Sequence, residues 1–330
     1  MLKRFSFILI ALASALWVGA IEPTWNVELK TIFDNREGHS DITAADTYFF
    51  ANLAGEVGLR FSPTDRIAGG VYWFQPVGTK WQKHHVSPTL YYRHDGPRWR
   101  FSMGMFPRRE LLEQLPDYLW NDSLSYCQNN IRGALVQYVH PRGFAEAYLD
   151  WRGLRSKTTR EAFNIVFHGQ RALYGDWLGV GGYAQMNHYA LNRDAPEAQH
   201  IVDNFLVNPY VAADLTKKTP LDSLEVRAGL LMTVERNRER PDSRWDTPKG
   251  LSLLVVGEYR RFGVKNHLYI GQPLFPSYNA LSPEFVPGED GQPEVVVAPL
   301  GPKLYQGEPY YQKRFYDRLD LYYSFYKTAT

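Results

Sequence analysis

Residues 25–34 read Trp-Asn-Val-Glu-Leu-Lys-Thr-Ile-Phe-Asp, and this stretch decides the fold. Trp25, Val27, Leu29, Thr31 and Phe33 fall on one side of an extended chain. Asn26, Glu28, Lys30 and Asp34 fall on the other, with Ile32 the single exception. Successive side chains of a strand point to opposite faces, so a period of two means a ribbon apolar on one side and wet on the other. Residues 47–61 repeat the pattern, with Phe49, Ala51, Leu53, Val57, Leu59 and Phe61 opposing Tyr48, Asn52, Glu56 and Arg60. A helix across this second stretch would carry Gly55 and Gly58, each costing about 1 kcal/mol relative to alanine.

Working outward, the same alternation predicts strands near 66–77, 85–95, 98–106, 131–140, 143–152, 160–170, 174–187, 203–215, 221–234, 248–261, 264–272 and 315–326. That makes about fourteen in all. Tight-turn chemistry sits at Ser62-Pro63-Thr64-Asp65, Asp95-Gly96-Pro97, Pro141-Arg142, Arg171-Ala172, Thr216 to Pro220 and Phe262-Gly263. Longer stretches, notably 107–130 and 273–314, alternate with these short turns. An up-and-down meander does this when one end of its sheet is confined and the other is free to elaborate.

Composition narrows the class. The chain has 330 residues, 37 Lys and Arg against 35 Asp and Glu, and one cysteine. Without Lys3 and Arg4 of the leader the charges balance at 35 each, so there is no basic excess to neutralise phosphates and nucleic acid is not an expected partner. The lone Cys127, expected in a loop, excludes an intramolecular disulfide framework. A mean hydropathy of -0.39 argues against a bundle of spanning helices. Residues 1–20 have the make-up of a secretory signal peptide: Lys3 and Arg4, an apolar stretch from Phe5 to Val18, then Gly19 and Ala20. Residues 21–330 are expected to form a single domain.

On these residues the chain resembles the transmembrane β-barrels of Gram-negative outer membranes, porins in particular. The resemblance is architectural and covers the whole mature chain. It implies an all-β, up-and-down antiparallel barrel of about 14 strands, with short periplasmic turns, long outer loops and an outer-membrane location. Trp25, Phe61, Trp99 and Phe325 would then lie near the periplasmic rim, and Phe33, Trp73 and Trp151 near the outer one. The tail Lys327-Thr328-Ala329-Thr330 departs from the terminal aromatic residue common in such barrels. The competing architecture is a soluble all-β sandwich or propeller with its apolar faces turned inward.

If the apolar faces meet lipid, the polar faces line a hydrated interior, since unpaired charges in a dry one would be prohibitive. The candidates for that lining are Glu28, Lys30, Glu56, Arg60, Arg93, Arg100, Glu146, Asp150, Tyr210, Asp214, Glu225, Arg227, Glu258, Arg260, Asp320 and Tyr322. In the loop 107–130, Arg108, Arg109, Glu110 and Trp120 are candidates for a constriction, and the proline-rich loop 273–314 for a lid. The expected function is a porin-like channel for passive diffusion of small polar solutes, with outer-membrane lipid around it and no cofactor or metal. The alternatives are an outer-membrane enzyme acting on lipid or surface polymer, and a plugged structural or adhesive barrel.

No catalytic residue is expected. His39-Ser40-Asp41 are adjacent and cannot converge, because a triad is built from separate segments. Asn187-His188 lies near a strand end as in outer-membrane phospholipases, but no serine follows at a useful position. His84-His85 reads as exposed loop histidine, and Gly288-Glu289-Asp290-Gly291 lacks the ligand spacing of a helix-loop-helix calcium site. The chain is therefore expected not to be an enzyme.

Overall fold

The strands form because alternating residues satisfy two different solvents at once. In the computed structural model, β1 (Glu22–Arg36) pairs with β2 (Asp46–Arg60) through fifteen facing positions, from Glu22 opposite Arg60 to Arg36 opposite Asp46. Then come β3 (Asp65–Pro76), β4 (His85–Asp95), β5 (Trp99–Pro107), β6 (Asn130–His140), β7 (Gly143–Gly153), β8 (Ala162–Tyr174) and β9 (Leu178–Tyr189). They continue as β10 (Val202–Asp214), β11 (Ser223–Asn237), β12 (Lys249–Tyr259), β13 (Phe262–Gly271), β14 (Phe285–Pro287), β15 (Pro293–Val295) and β16 (Phe315–Tyr323). Fourteen of these make one up-and-down sheet in sequence order, with β16 after β13; β14 and β15 form a separate hairpin. Among the described residues one short helix, α1 (Asp122–Cys127), and three 3-10 turns, Arg108–Glu110, Thr216–Lys218 and Pro309–Gln312, sit between strands.

The structure describes residues 21–37, 46–80, 84–157, 159–194, 201–238, 242–275, 285–287, 293–295 and 306–325. The leader 1–20, His39-Ser40-Asp41, Gly288-Glu289-Asp290-Gly291 and the tail from Lys327 lie outside them. The chain divides into two compact units: Met1–Gln114 with Ser125–Val139, and Leu115–Leu124 with His140–Thr330.

Burial is inside out in both. In the first unit Asn52 and Glu56 of β2 are buried, while Val57 beside them is 71% exposed. In the second, Asn164 and His168 of β8 are buried while Phe167 is 55% exposed. A soluble sandwich would show the reverse. An exposed apolar belt over a hydrogen-bonded polar face is stable only against acyl chains, so the protein is an outer-membrane β-barrel. Trp25, Phe61, Trp99 and Phe325 stand exposed at the periplasmic ends of their strands, and Phe33 and Trp151 at the outer ends; Trp73 is half-buried. Acids do enter the apolar face near its outer edge: Asp317 of β16 lies among its exposed residues and accepts a hydrogen bond from Asn266 at 2.7 Å, and Asp203 of β10 pairs there with Arg236.

Leu230 lies mid-strand in β11 on the apolar side, opposite Leu251. Leu230→Arg is expected to destabilise the protein by about 2–4 kcal/mol, the cost of a cation at the bilayer midplane. Urea unfolding in phospholipid vesicles would register it, and an unchanged midpoint would mean that this face does not meet lipid.

Four sequence expectations shift. The turn expected at Arg171-Ala172 lies at 175–177 instead, where Gly175 adopts φ 56° and closes the hairpin without the penalty a Cβ would bring. The turn expected at Phe262-Gly263 lies at Arg260-Arg261, with Arg260 at φ 59°. His85 opens β4 and bonds Ser87 across 2.9 Å, so it belongs to a strand. Cys127 ends α1 and packs on the cluster of Ala54, Tyr72 and Phe74.

Proline in a central strand normally removes a ladder bond. At Pro209 of β10 the deficit is met by the preceding residue: Asn208 Nδ2 donates to the carbonyl of Leu230 at 2.9 Å. Its other amide atom, Oδ1, accepts from Tyr118 at 2.7 Å. This bond fixes Tyr118, and with it the loop segment that carries the next residue of interest.

Candidate active site

That segment is Pro116-Asp117-Tyr118-Leu119-Trp120. Pro116 starts a tight turn, its carbonyl accepting from Leu119 at 2.9 Å and Trp120 at 3.0 Å. A second loop segment clamps it: Glu308 N–H donates to the Asp117 carbonyl and Asn121 N–H to the Gln306 carbonyl, both at 2.8 Å. The described parts of both long loops thus meet around Asp117.

The hairpin β12–β13 supplies the other members. Its register sets Ser252 opposite Tyr269 and Leu254 opposite His267, so Ser252 and His267 are diagonal neighbours on one face. Ser252 Oγ lies 3.0 Å from His267 Nε2, and His267 Nδ1 lies 2.7 Å from Asp117 Oδ1. Tyr311 Oη is 2.8 Å from the same Oδ1 and 2.8 Å from Nδ1, while Tyr316 donates to Oδ2 at 3.0 Å. All five residues are buried. The Tyr118 ring meets His267 edge-on at 5.7 Å and Tyr311 at 6.0 Å, completing an aromatic collar.

Burial opposes the charge on Asp117, but the adjacent His267 and the hydrogen bonds from His267, Tyr311 and Tyr316 outweigh it and hold its carboxyl well below the usual carboxylate range. An ionised Asp117 only accepts, so Nδ1 of His267 carries the proton and Nε2 is left to accept from the Ser252 hydroxyl. This is the tautomer in which an imidazole acts as general base toward a serine. Among the described residues no group of three His, Cys, Asp or Glu side chains is placed to hold a metal.

The candidates read from the sequence lie elsewhere. Glu28 and Lys30 are exposed on β1. Glu56 accepts from Arg109 at 2.6 Å; Arg93 bonds Ser102, Gln137 and Asp95 and lies 3.5 Å from Glu110, which also accepts from Arg66 at 3.0 Å. Arg60, Arg109, Glu56 and Glu110 line a cavity of about 450 Å³ in the first unit. Arg108 donates to the Gln128 carbonyl, Arg100 is half-buried opposite Asp95, and Trp120 is buried in the turn begun by Pro116.

In the second unit Glu146, Asp150 and Tyr210 are buried. Glu146 lies 3.6 Å from His168 Nδ1, and Tyr210 Oη lies 3.2 Å from its Nε2. Glu225 pairs with Arg227, Asp320 with Arg318, and Tyr322 donates to Glu258 at 2.9 Å. Asp214 and Arg260 are exposed at turns. None of these residues belongs to the Ser252–His267–Asp117 cluster, which the sequence reading missed.

Fold and site together define an outer-membrane β-barrel that carries a hydrolase-like serine–histidine–aspartate arrangement. The chain belongs to the Lipid A 3'-O-deacylase-type family, whose model matches residues 24–284. Membership of a family typed by a deacylase overturns the expectation that the chain is not an enzyme. No curated protein sequence matches it. Among solved structures it is similar to OmpT of Vibrio cholerae in its trimer form: 9% identity, 77% of this chain and 89% of that one, TM-score 0.40. It is also similar to OccK2 of Pseudomonas aeruginosa in complex with glucuronate: 10% identity, 76% of this chain and 64% of that one, TM-score 0.42. Likeness at this level bears on neither activity nor partners.

Proposed function

We propose that this barrel is an acyl-ester hydrolase of the outer membrane, removing a 3'-O-linked acyl chain from lipid A or a closely related glycolipid. The observation that carries the reading is the hydrogen-bonded chain from Ser252 through His267 to Asp117, in a member of a deacylase-type family. Ser252 Oγ attacks the ester carbonyl as its proton passes to His267 Nε2. Collapse of the tetrahedral intermediate expels the sugar oxygen, which takes that proton. Water, deprotonated by the same imidazole, then cleaves the acyl-serine, giving a free fatty acid and the restored hydroxyl. Asp117 holds the ring and stabilises the imidazolium. Depth supports the assignment: Ser252 is three residues from Lys249 at the outer end of β12, about 10 Å along the strand. That is near the boundary of headgroups and acyl chains, where ester bonds of the outer leaflet lie.

The test is to incubate the refolded full chain with purified lipid A and follow the lipid by mass spectrometry. Loss of one ester-linked acyl chain with release of the matching fatty acid is expected. An intact lipid, together with solute flux through the same protein in liposomes, would reject hydrolysis in favour of the passive channel for small polar solutes.

A further inference from the structure

A second feature of the second unit lies away from Ser252, on the loops that leave the outer ends of β7 and β9. At the outer edge of the apolar face, three rings stack across neighbouring strands. Trp151 lies on Phe163 at 5.1 Å and Phe163 on His188 at 4.5 Å, with interplanar angles of 21° and 22°. Directly beyond them in the chain the character changes. The loop after β7 carries Arg155, Lys157 and Arg160, and the loop after β9 carries Arg193. The carboxylates on the same two loops are Glu161, Asp194 and Glu197, so cations outnumber acids four to three.

The two loops form one platform. Arg193 N–H donates to the Ser156 carbonyl at 2.8 Å, and Ala190 N–H to the Glu161 carbonyl at 3.0 Å. Arg160 is fixed within it, its Nε donating to the Ala190 carbonyl at 2.9 Å and its guanidinium lying 3.9 Å from the centre of the Tyr189 ring. Arg155, Lys157 and Arg193 are exposed, and among the described residues none of the three meets a carboxylate. Beside them Leu154 is 77% exposed.

The order along the strand axis is therefore apolar belt, stacked rings, then cations, the order of acyl chains, interface and anionic headgroups in a leaflet. Rings of this kind settle at a lipid–water boundary, and cations just above them are drawn to phosphate. We infer that this platform is a docking surface for the phosphate-bearing headgroup of an outer-leaflet lipid. Arg155, Lys157 and Arg193 supply the charge, Arg160 with Tyr189 keeps the loops in place, and Leu154 meets the upper part of the acyl chains. The inference goes beyond the hydrolytic reading. It concerns a different surface, and binding is measured without turnover.

The experiment uses the full chain in neutral detergent micelles, titrated with phosphatidic acid as a lipid bearing a phosphomonoester and followed by native mass spectrometry. The variant R155Q/K157Q/R193Q is expected to bind at least tenfold more weakly, since each cation near an anionic lipid contributes about 1 kcal/mol. The charge-preserving variant R155K/R193K reports whether the loops tolerate substitution, and it is expected to stay close to the parent. Equal affinity of the glutamine variant and the parent would overturn the surface. So would competition by inorganic phosphate at the concentration of the lipid, which would make the free anion rather than a lipid the ligand. Neither result depends on Ser252, so failure here and failure of the hydrolase reading are separable.

Discussion

Ser252→Ala is expected to lower kcat for acyl-ester cleavage by about 10⁴- to 10⁶-fold, the range seen when the nucleophile of a serine triad is removed. The fold should survive, because the change deletes one oxygen from a side chain whose only described bond is to His267. Fatty-acid release from lipid A, with heat-dependent gel mobility as the folding control, measures both quantities. If Ser252→Ala retained activity while His267→Gln lost it, the imidazole would be activating water directly and the serine would be a spectator. Retention of activity in both variants would remove this cluster from catalysis altogether.

Asp117→Asn is the second large effect. The native carboxylate accepts from His267 Nδ1, Tyr311 and Tyr316. An amide offers one acceptor oxygen and one donor nitrogen in nearly the same volume. Its NH₂ placed against Nδ1 would drive the proton to Nε2 and leave nothing to accept from the serine. A drop of about 10⁴-fold in kcat is expected from the wrong tautomer alone. The binding of substrate, set by other groups, should change little, so the loss should fall on kcat and not on KM. A loss confined to KM would make Asp117 a structural residue of the loop. The sign of its pH dependence follows from its depressed folded-state value. The docking energy of its charge is fully present above the ordinary carboxylate range, near pH 4, and is lost only as pH falls toward the lower folded value.

The barrel was legible in the sequence because its rule is local. Each pair of residues from Trp25 to Phe33 repeats the same choice between lipid and water, and every strand repeats it again. The triad was not legible, for two separate reasons. Ser252 and His267 are 15 residues apart, and their meeting depends on where the hairpin turns. With the turn at Arg260-Arg261 they are diagonal neighbours. Two residues further along, at the Phe262-Gly263 first favoured by its glycine, they would lie on the same pair of strands but well out of reach. The decisive feature was Arg260 in a left-handed conformation, which no propensity for arginine announces. Had that turn been placed, a serine and a histidine in diagonal register would have been a signal.

Asp117 left no comparable trace. It lies 150 residues from His267 in a segment without periodicity. It is placed by a backbone bond from Glu308, and its segment by a second from Asn121 to Gln306, in a stretch of loop whose prolines suggested only stiffness. Polar-face charges such as Glu56, Arg93 and Arg227 were found because charge in a strand is conspicuous. In the structure they serve mainly one another. The proposed nucleophile is a small neutral hydroxyl, flanked on its own strand by Leu251 and Leu253.

The exposed belt has one more consequence. A chain with so many greasy side chains facing outward keeps only part of its hydrophobic stabilisation within itself, in residues such as Phe106, Leu135 and Leu206; the leaflet around it holds the rest. Membrane thickness then acts on this barrel much as temperature acts on a soluble protein, with each ångström of mismatch costing a fraction of a kcal/mol. With the proposed hydrolysis, a barrel that trims acyl chains from the lipids around it would be altering the medium that keeps it folded.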